Sequence, residues 1–271
     1  MPYVDVNGLH MYYDIEGEGR PLILLHGGLG MTGMFGPVRT ALAQGRKVIA
    51  VDLQGHGRTA DIDRPMHPKT MAADVIALIE QQQLGKVDLM GFSLGAGVAL
   101  WVAIQRPNVV RKVVACSTII RREAFYSEIL AQQQQVNENA AELMKQTPMY
   151  QEYARIAPRP EDFPRLLAKV GAMMKGPLDA TKEVATIKVP VLLVQGDSDI
   201  VPPSHAVEIF GLLGGGKRDG GWQGEFIPQS HLAILPGLTH YNIAVSPQLA
   251  DVAIKFLDAE EGMVPAASAA G

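Results

Sequence analysis

The sequence predicts an α/β protein with a mostly parallel central sheet, helices on both of its faces and an inserted helical cap. Three observations carry this. Short apolar runs alternate with helix-like segments from Pro21 onward, the alternation stops near residue 121, and it resumes at Val189. The chain of 271 residues, 47% hydrophobic and 19% charged, is long enough to bury a sizeable core. The expected organisation is a core of residues 1–120 and 181–260, a helical cap of residues 121–180, and a flexible Ala/Ser/Gly-rich tail over residues 261–271.

In chain order, Tyr3 to Val6 and Leu9 to Ile15 read as strands joined by Asn7-Gly8, a type I′ hairpin signal. The continuous run Pro21 to Leu25 suits a strand covered on both faces, and it ends in His26-Gly27-Gly28-Leu29-Gly30. Thr32 to Gln44 reads as a helix, Lys47 to Val51 as a strand and Asp52 to Thr59 as a loop. Lys69 to Gln83 carries Val75, Leu78 and Ile79 on one helical side, and Gly85 ends it. Lys86 to Met90 is a buried strand, Ala96 to Gln105 a helix and Arg111 to Cys116 a strand. From Arg121 to about Ala180 no strand pattern occurs, and prolines 148, 158, 160, 164 and 177 punctuate short helices. Val189 to Gln195 is the next strand, Ser204 to Leu213 a helix, Leu232 to Leu235 the last strand and Ser246 to Asp258 a closing amphipathic helix.

A formal net charge of -4 gives no global basic field for nucleic acid or anionic lipid. The single cysteine, Cys116, excludes an internal disulfide and a cysteine metal cluster, in keeping with a reducing compartment. No signal-peptide pattern opens the chain, and no apolar stretch approaches the roughly 18 residues of a membrane span, so a soluble cytoplasmic protein is expected. His-Glu-x-x-His is absent, so neither a catalytic metal nor another cofactor is expected. Gly211 to Lys217 nearly spells a phosphate loop, but Arg218 stands where Ser or Thr would bind magnesium, and the segment follows a helix.

Chemistry concentrates at Gly91-Phe92-Ser93-Leu94-Gly95, between an apolar strand and an apolar helix. Gly-x-Ser-x-Gly at a sharp strand-to-helix turn lifts the serine hydroxyl out of the sheet beside a helix N-terminus, where free N–H groups favour an oxyanion. The Leu94 N–H, at the start of that helix, is a candidate oxyanion donor. A serine needs a histidine to take its proton, and that histidine needs a carboxylate to fix its tautomer. Ser93, Asp199 and His240 each follow a predicted strand, in that order. Asp197 lies in the same loop as Asp199. Among the other histidines, His205 is the nearest rival, and His231 precedes its strand and so sits at the wrong end of the sheet.

Together these motifs resemble the α/β-hydrolase superfamily, and its esterase and lactonase members in particular, over nearly the whole chain. His26-Gly27-Gly28 is similar to the family's first oxyanion loop, Asp52 to Gly57 to its loop after the next strand, and Gly196-x-x-Asp199-x-x-Pro202 to its acid loop. The resemblance implies the α/β-hydrolase fold and Asp199 as the acid, with Asp197 capping the turn. It also implies structural roles for His26 and His56, and an oxyanion hole formed by the N–H groups of Gly28 and Leu94. Serine at the elbow argues against dehalogenase and epoxide hydrolase activity, where the family carries aspartate.

The expected activity is hydrolysis of carboxylic esters through an acyl-enzyme on Ser93, with lactones, including acyl-homoserine lactones, within range. The partner is then a small-molecule ester or lactone, and the sequence specifies no oligomeric state. Three alternatives stay open: a cofactor-free perhydrolase or haloperoxidase, a carbon-carbon bond hydrolase, and a ligand receptor on a hydrolase scaffold. Candidate substrate contacts are Met31 and Met34 beyond the oxyanion loop and Phe125, Met144, Met149 and Met173 of the cap, methionine being adaptable to flexible apolar groups. Trp222 joins them if the glycine-rich segment 214–229 is an entrance loop; a solvated excursion away from the site is the competing expectation.

Overall fold

The apolar runs become strands whose faces are covered by helices packed from both sides. The computed structural model describes residues 2–260, so the tail expected to be flexible lies outside the described residues. The strands are β1 (Tyr3–Val6), β2 (Leu9–Glu16), β3 (Arg20–Leu25), β4 (Arg46–Val51), β5 (Val87–Phe92), β6 (Val110–Cys116), β7 (Val191–Ser198) and β8 (His231–Thr239). They form one sheet in the order β1-β2-β4-β3-β5-β6-β7-β8. The β1–β2 hairpin turns at Asn7 and Gly8, both at positive φ (49° and 79°), as a type I′ turn demands. β2 pairs antiparallel with both β1 and β4, and the remaining pairings are parallel.

The helices are α1 (Pro37–Ala43), α2 (Pro68–Gln81), α3 (Leu94–Gln105), α4 (Ser127–Gln134), α5 (Ala141–Met144), α6 (Pro148–Ile156), α7 (Phe163–Lys175), α8 (Thr181–Val184), α9 (Pro203–Leu212) and α10 (Pro247–Asp258). On one face of the sheet, Val38 and Leu42 of α1 join Leu249, Ala253 and Phe256 of α10 against Leu24, Met90 and Val114. On the other, α2 and α3 pack through Val75, Leu78, Val98 and Val102 against Ile23, Leu89 and Val113. Residues of β5 are buried throughout, which is why its sequence shows no alternation. Strand order reverses at β3, which lies between β4 and β5, and an open parallel sheet leaves a crevice above such a point.

Two boundaries depart from expectation. The helix expected over Thr32 to Gln44 is split into a 3-10 turn, Thr32–Phe35, and α1. Gly36 takes φ 44° between them and Pro37 opens α1, since proline lacks an N–H and disfavours helical backbone before it. The last strand runs on through Pro236 and Gly237, which an edge position allows because one side of the strand has no partner.

Residues 122–184 hold α4 to α8 and, among the described residues, no strand. The part of this stretch that precedes α8 leaves and rejoins the core at one neck. Arg121 bridges to Asp179, the Arg122 N–H donates to the Leu178 carbonyl at 2.9 Å, and the Ala180 N–H donates to the Ile120 carbonyl at 2.8 Å. A second tie is ionic: the buried Asp61 carboxylate meets Arg165 Nε and Lys169 Nζ of α7, both at 2.7 Å.

The segment 214–229 enters β8 from its N-terminal end. Its last neighbour, Ser230, accepts the N–H of Val191 at the start of β7 (3.2 Å). The eight residues of β7 then place about 25 Å between this end of the sheet and the acid loop.

Candidate active site

Ser93 follows β5 directly and has φ 52° and ψ -113°, an unfavourable conformation for a residue with a side chain. Neighbouring glycines make the turn possible. A Cβ on Gly91 would strike the Gly95 backbone, and one on Gly95 would strike the Leu25 and His26 carbonyls. The Ser93 N–H donates to the Cys116 carbonyl at 2.9 Å, and its carbonyl accepts from Gly97 at 3.1 Å, which locks the elbow to β6 and α3.

The loops after β7 and β8 bring Asp199 and His240 to this serine. His240 Nε2 lies 3.1 Å from Ser93 Oγ, and His240 Nδ1 lies 2.8 Å from Asp199 Oδ1. An ionised carboxylate only accepts, so Nδ1 carries the proton and Nε2 offers its lone pair to the serine hydroxyl. Asp199 is buried, and burial pushes its carboxyl up; the hydrogen bond and charge of His240, the Ser117 hydroxyl and the Ile200 N–H outweigh that and hold it below the usual carboxylate range. The His240 side chain is 12% exposed, so solvent or substrate reaches it. Asp197 is exposed and accepts the Gly237 N–H at 3.0 Å, a turn-fixing role.

The His26-Gly27-Gly28 loop is fixed by a neutral histidine. Buried His26 accepts the Leu53 N–H at Nε2 (3.0 Å), which leaves its proton on Nδ1 to donate to the Gly27 carbonyl (2.7 Å). Burial drives its pKa down to about 4. His56, packed against it at 5.0 Å between ring centres, falls to about 3 for the same reason, with the neighbouring imidazole adding to the effect. Asp52 braces the same region by accepting the N–H groups of Thr32 (2.7 Å) and Arg58 (2.8 Å), while burial raises it to about 6. Among the described residues no other group takes up the Gly28 or Leu94 N–H.

The expected substrate contacts divide. Met34 reaches the His26-Gly27-Gly28 loop, its Sδ accepting the Gly27 N–H at 3.2 Å, and Met31 is buried at the start of the adjoining 3-10 turn. Phe125 stands beside the acid loop, because its neighbour Tyr126 donates to the Ile200 carbonyl at 3.3 Å. Met144 and Met173 are half-buried against the core, while Met149 is exposed. Trp222 is not brought to the site: it is fully exposed on a segment that begins and ends at the opposite end of the sheet. Met174, beside Met173 on the same methionine-bearing cap helix, has its Cε 4.0 Å from where a Gly28 Cβ would stand. Two close residues carried no sequence signal: the Phe92 ring centre lies 4.8 Å from that of His240, and Ser117 bonds the acid.

Among the described residues no group of His, Cys, Asp and Glu is arranged to hold a metal, and no helix is long and apolar enough to cross a membrane. Residues 20–146 match the family model for the alpha/beta hydrolase fold. An sn-1-specific diacylglycerol lipase of Danio rerio is 35% identical over 115 residues, 40% of this chain and 35% of the relative. A pyrrolizixenacetamide deacetylase of Xenorhabdus hominickii is also 35% identical over 115 residues, 42% of this chain and 43% of the relative. The chain thus aligns with less than half the length of either relative. The solved enol-lactonase of Burkholderia xenovorans LB400 superposes with a TM-score of 0.70 at 21% identity, covering 95% of this chain and all of that one. Its eight-stranded, mostly parallel sheet, the family match over residues 20–146 and these neighbours show that the chain has the α/β-hydrolase fold.

Proposed function

We propose that the protein is a serine hydrolase of carboxylic esters, lactones included, working through an acyl-enzyme on Ser93. The observation that carries this reading is the hydrogen-bonded line from Ser93 Oγ to His240 Nε2 (3.1 Å) and from His240 Nδ1 to Asp199 Oδ1 (2.8 Å). His240 takes the Ser93 proton as Oγ bonds to the acyl carbon, and Asp199 stabilises the imidazolium that forms. The carbonyl oxygen becomes an oxyanion facing the N–H groups of Gly28 and Leu94. Loss of one such donor costs about 3 kcal/mol of transition-state stabilisation. His240 returns the proton to the leaving alkoxide as its bond to carbon breaks. Water, deprotonated by the same histidine, then cleaves the acyl-enzyme and frees the carboxylic acid.

The acyl side is read as apolar. Met34 and Met174 flank the oxyanion loop, and polarizable thioethers adapt to flexible hydrocarbon. The excursion of residues 121–180 acts in this reading as the cap that selects substrate, with α7 presenting Met174. The lactonase neighbour and the lipase and deacetylase relatives support acyl transfer as the reaction class. The test is a panel of short esters, long esters and lactones turned over by the wild type and by Ser93→Ala. Turnover of at least one class, lost in the variant, is expected; undiminished turnover by Ser93→Ala would move the chemistry elsewhere.

A further inference from the structure

Ser117 is the first residue after β6 and is fully buried, with φ 51° although it is not glycine. That backbone is unfavourable for a residue with a Cβ and persists where surrounding contacts over-determine it. Its N–H donates to the Val194 carbonyl of β7 at 2.7 Å, and its hydroxyl donates to Asp199 Oδ2 at 2.5 Å. The carbonyl of the preceding residue, Cys116, accepts the Ser93 N–H at 2.9 Å. One dipeptide at the end of β6 therefore holds the serine elbow through its backbone and the acid through its side chain.

The hydroxyl matters because of where the other bonds to Asp199 fall. Oδ1 takes both the His240 Nδ1–H (2.8 Å) and the Ile200 N–H (2.7 Å), so Oδ2 has the Ser117 hydroxyl as its side-chain partner. A carboxylate gripped at Oδ1 alone is free to tilt out of the imidazole plane. Gripped at both oxygens it tilts only by breaking a charge-assisted hydrogen bond in a buried setting, where such bonds are strong. We propose that Ser117 is a positioning residue: its hydroxyl fixes the plane of the Asp199 carboxylate and thereby aims the His240 imidazole at Ser93. This rests on the serine-hydrolase reading above and extends it to a fourth side chain. The ionisable groups facing Asp199 are His240, from the loop after β8, and Cys116, whose thiol burial pushes well up and keeps neutral.

The experiment compares wild type, Ser93→Ala, Ser117→Ala and Ser117→Gly in ester kinetics across pH and in proton NMR of the His240 Nδ1–H. Glycine relieves the positive φ while removing the hydroxyl, so it separates backbone strain from hydrogen bonding. Both Ser117 variants are expected to lose about tenfold to thirtyfold in kcat with KM little changed, the loss of one hydrogen bond to a charged group. The acid limb of kcat/KM moves to higher pH, because the ionised form of Asp199 has lost a donor. The Nδ1–H resonance, retained in Ser93→Ala, shifts or broadens by exchange in both Ser117 variants. Wild-type kcat and an unmoved resonance in Ser117→Ala would overturn the proposal, as would a Ser117→Gly enzyme with full activity. Because the resonance is read without turnover, an inactive wild type whose resonance still depends on Ser117 would refute the hydrolase reading and leave the positioning intact.

Discussion

The two ends of the central sheet are built on opposite plans. At the C-terminal ends of the strands, Ser93 and Ser117 sit at φ 52° and 51°, and polar side chains reach across strands to one another. At the N-terminal ends, charges staple the structure. Arg111 grips buried Asp88 with two hydrogen bonds (2.7 and 2.5 Å) and donates to the Leu257 carbonyl of α10 (2.7 Å), while Arg46 pairs with Asp258. Lys112 Nζ adds a bond to the Phe256 carbonyl at 2.8 Å. One end carries strain and aligned groups, and the other carries the ties that help the fold tolerate them. Substitutions at the first should change turnover with little change in stability, and substitutions at the second the reverse.

The largest expected effect is at the strained end. Asp199→Asn offers His240 Nδ1 an amide in place of a carboxylate and removes the charge that stabilises the imidazolium. Steady-state kinetics should show kcat falling about 10⁴-fold while urea unfolding stays close to wild type. At the stapled end, Arg111→Met leaves Asp88 buried with its principal partner gone. Urea unfolding should record a loss of about 3 to 5 kcal/mol, and kcat should be retained.

Acid should distinguish the ends in a third way. His26 and His56 ionise at about 4 and about 3 in the folded chain against 6.5 when free, so the unfolded state binds more protons and stability falls as pH drops from 6.5 towards 4. Asp52 opposes this: raised from 3.8 to about 6, it takes up its proton earlier in the folded state, which favours the fold as pH drops through that window. Two histidines outweigh one aspartate, and a net loss of about 3 kcal/mol between pH 6.5 and 4 is expected from urea unfolding at stepped pH. The smallest effect belongs to Trp222→Ala, which should leave kcat and KM for short and long esters unchanged. A raised KM for long esters would place the 214–229 segment at the substrate entrance after all.

Much of the reactive end was legible because each of its groups comes just after an apolar run. The strands before Ser93, Asp199 and His240 announce themselves by burial, and a parallel sheet delivers the loops after its strands to one edge. The same rule bears on Trp222, since a segment that precedes β8 enters at the opposite edge; closeness in sequence to the histidine strand misleads. Ser117 gave no signal, because a serine after a strand is commonplace and its partner lies 82 residues away. Nor could Asp61 be matched with Arg165 and Lys169, or Met174 with Gly28, since these contacts depend on how α7 folds back over the core. Periodicity reads burial along one element, and it is silent on which distant side chains then meet.

The most direct measurement of the central claim is the intact mass of the protein after exposure to a fluorophosphonate, with the modified residue located by peptide mapping. One adduct per chain on Ser93 is predicted, absent from Ser93→Ala and formed more slowly when a saturating ester substrate competes for the serine. A wild type that gains no mass, or gains it at another residue, would contradict the assignment of Ser93 as the nucleophile.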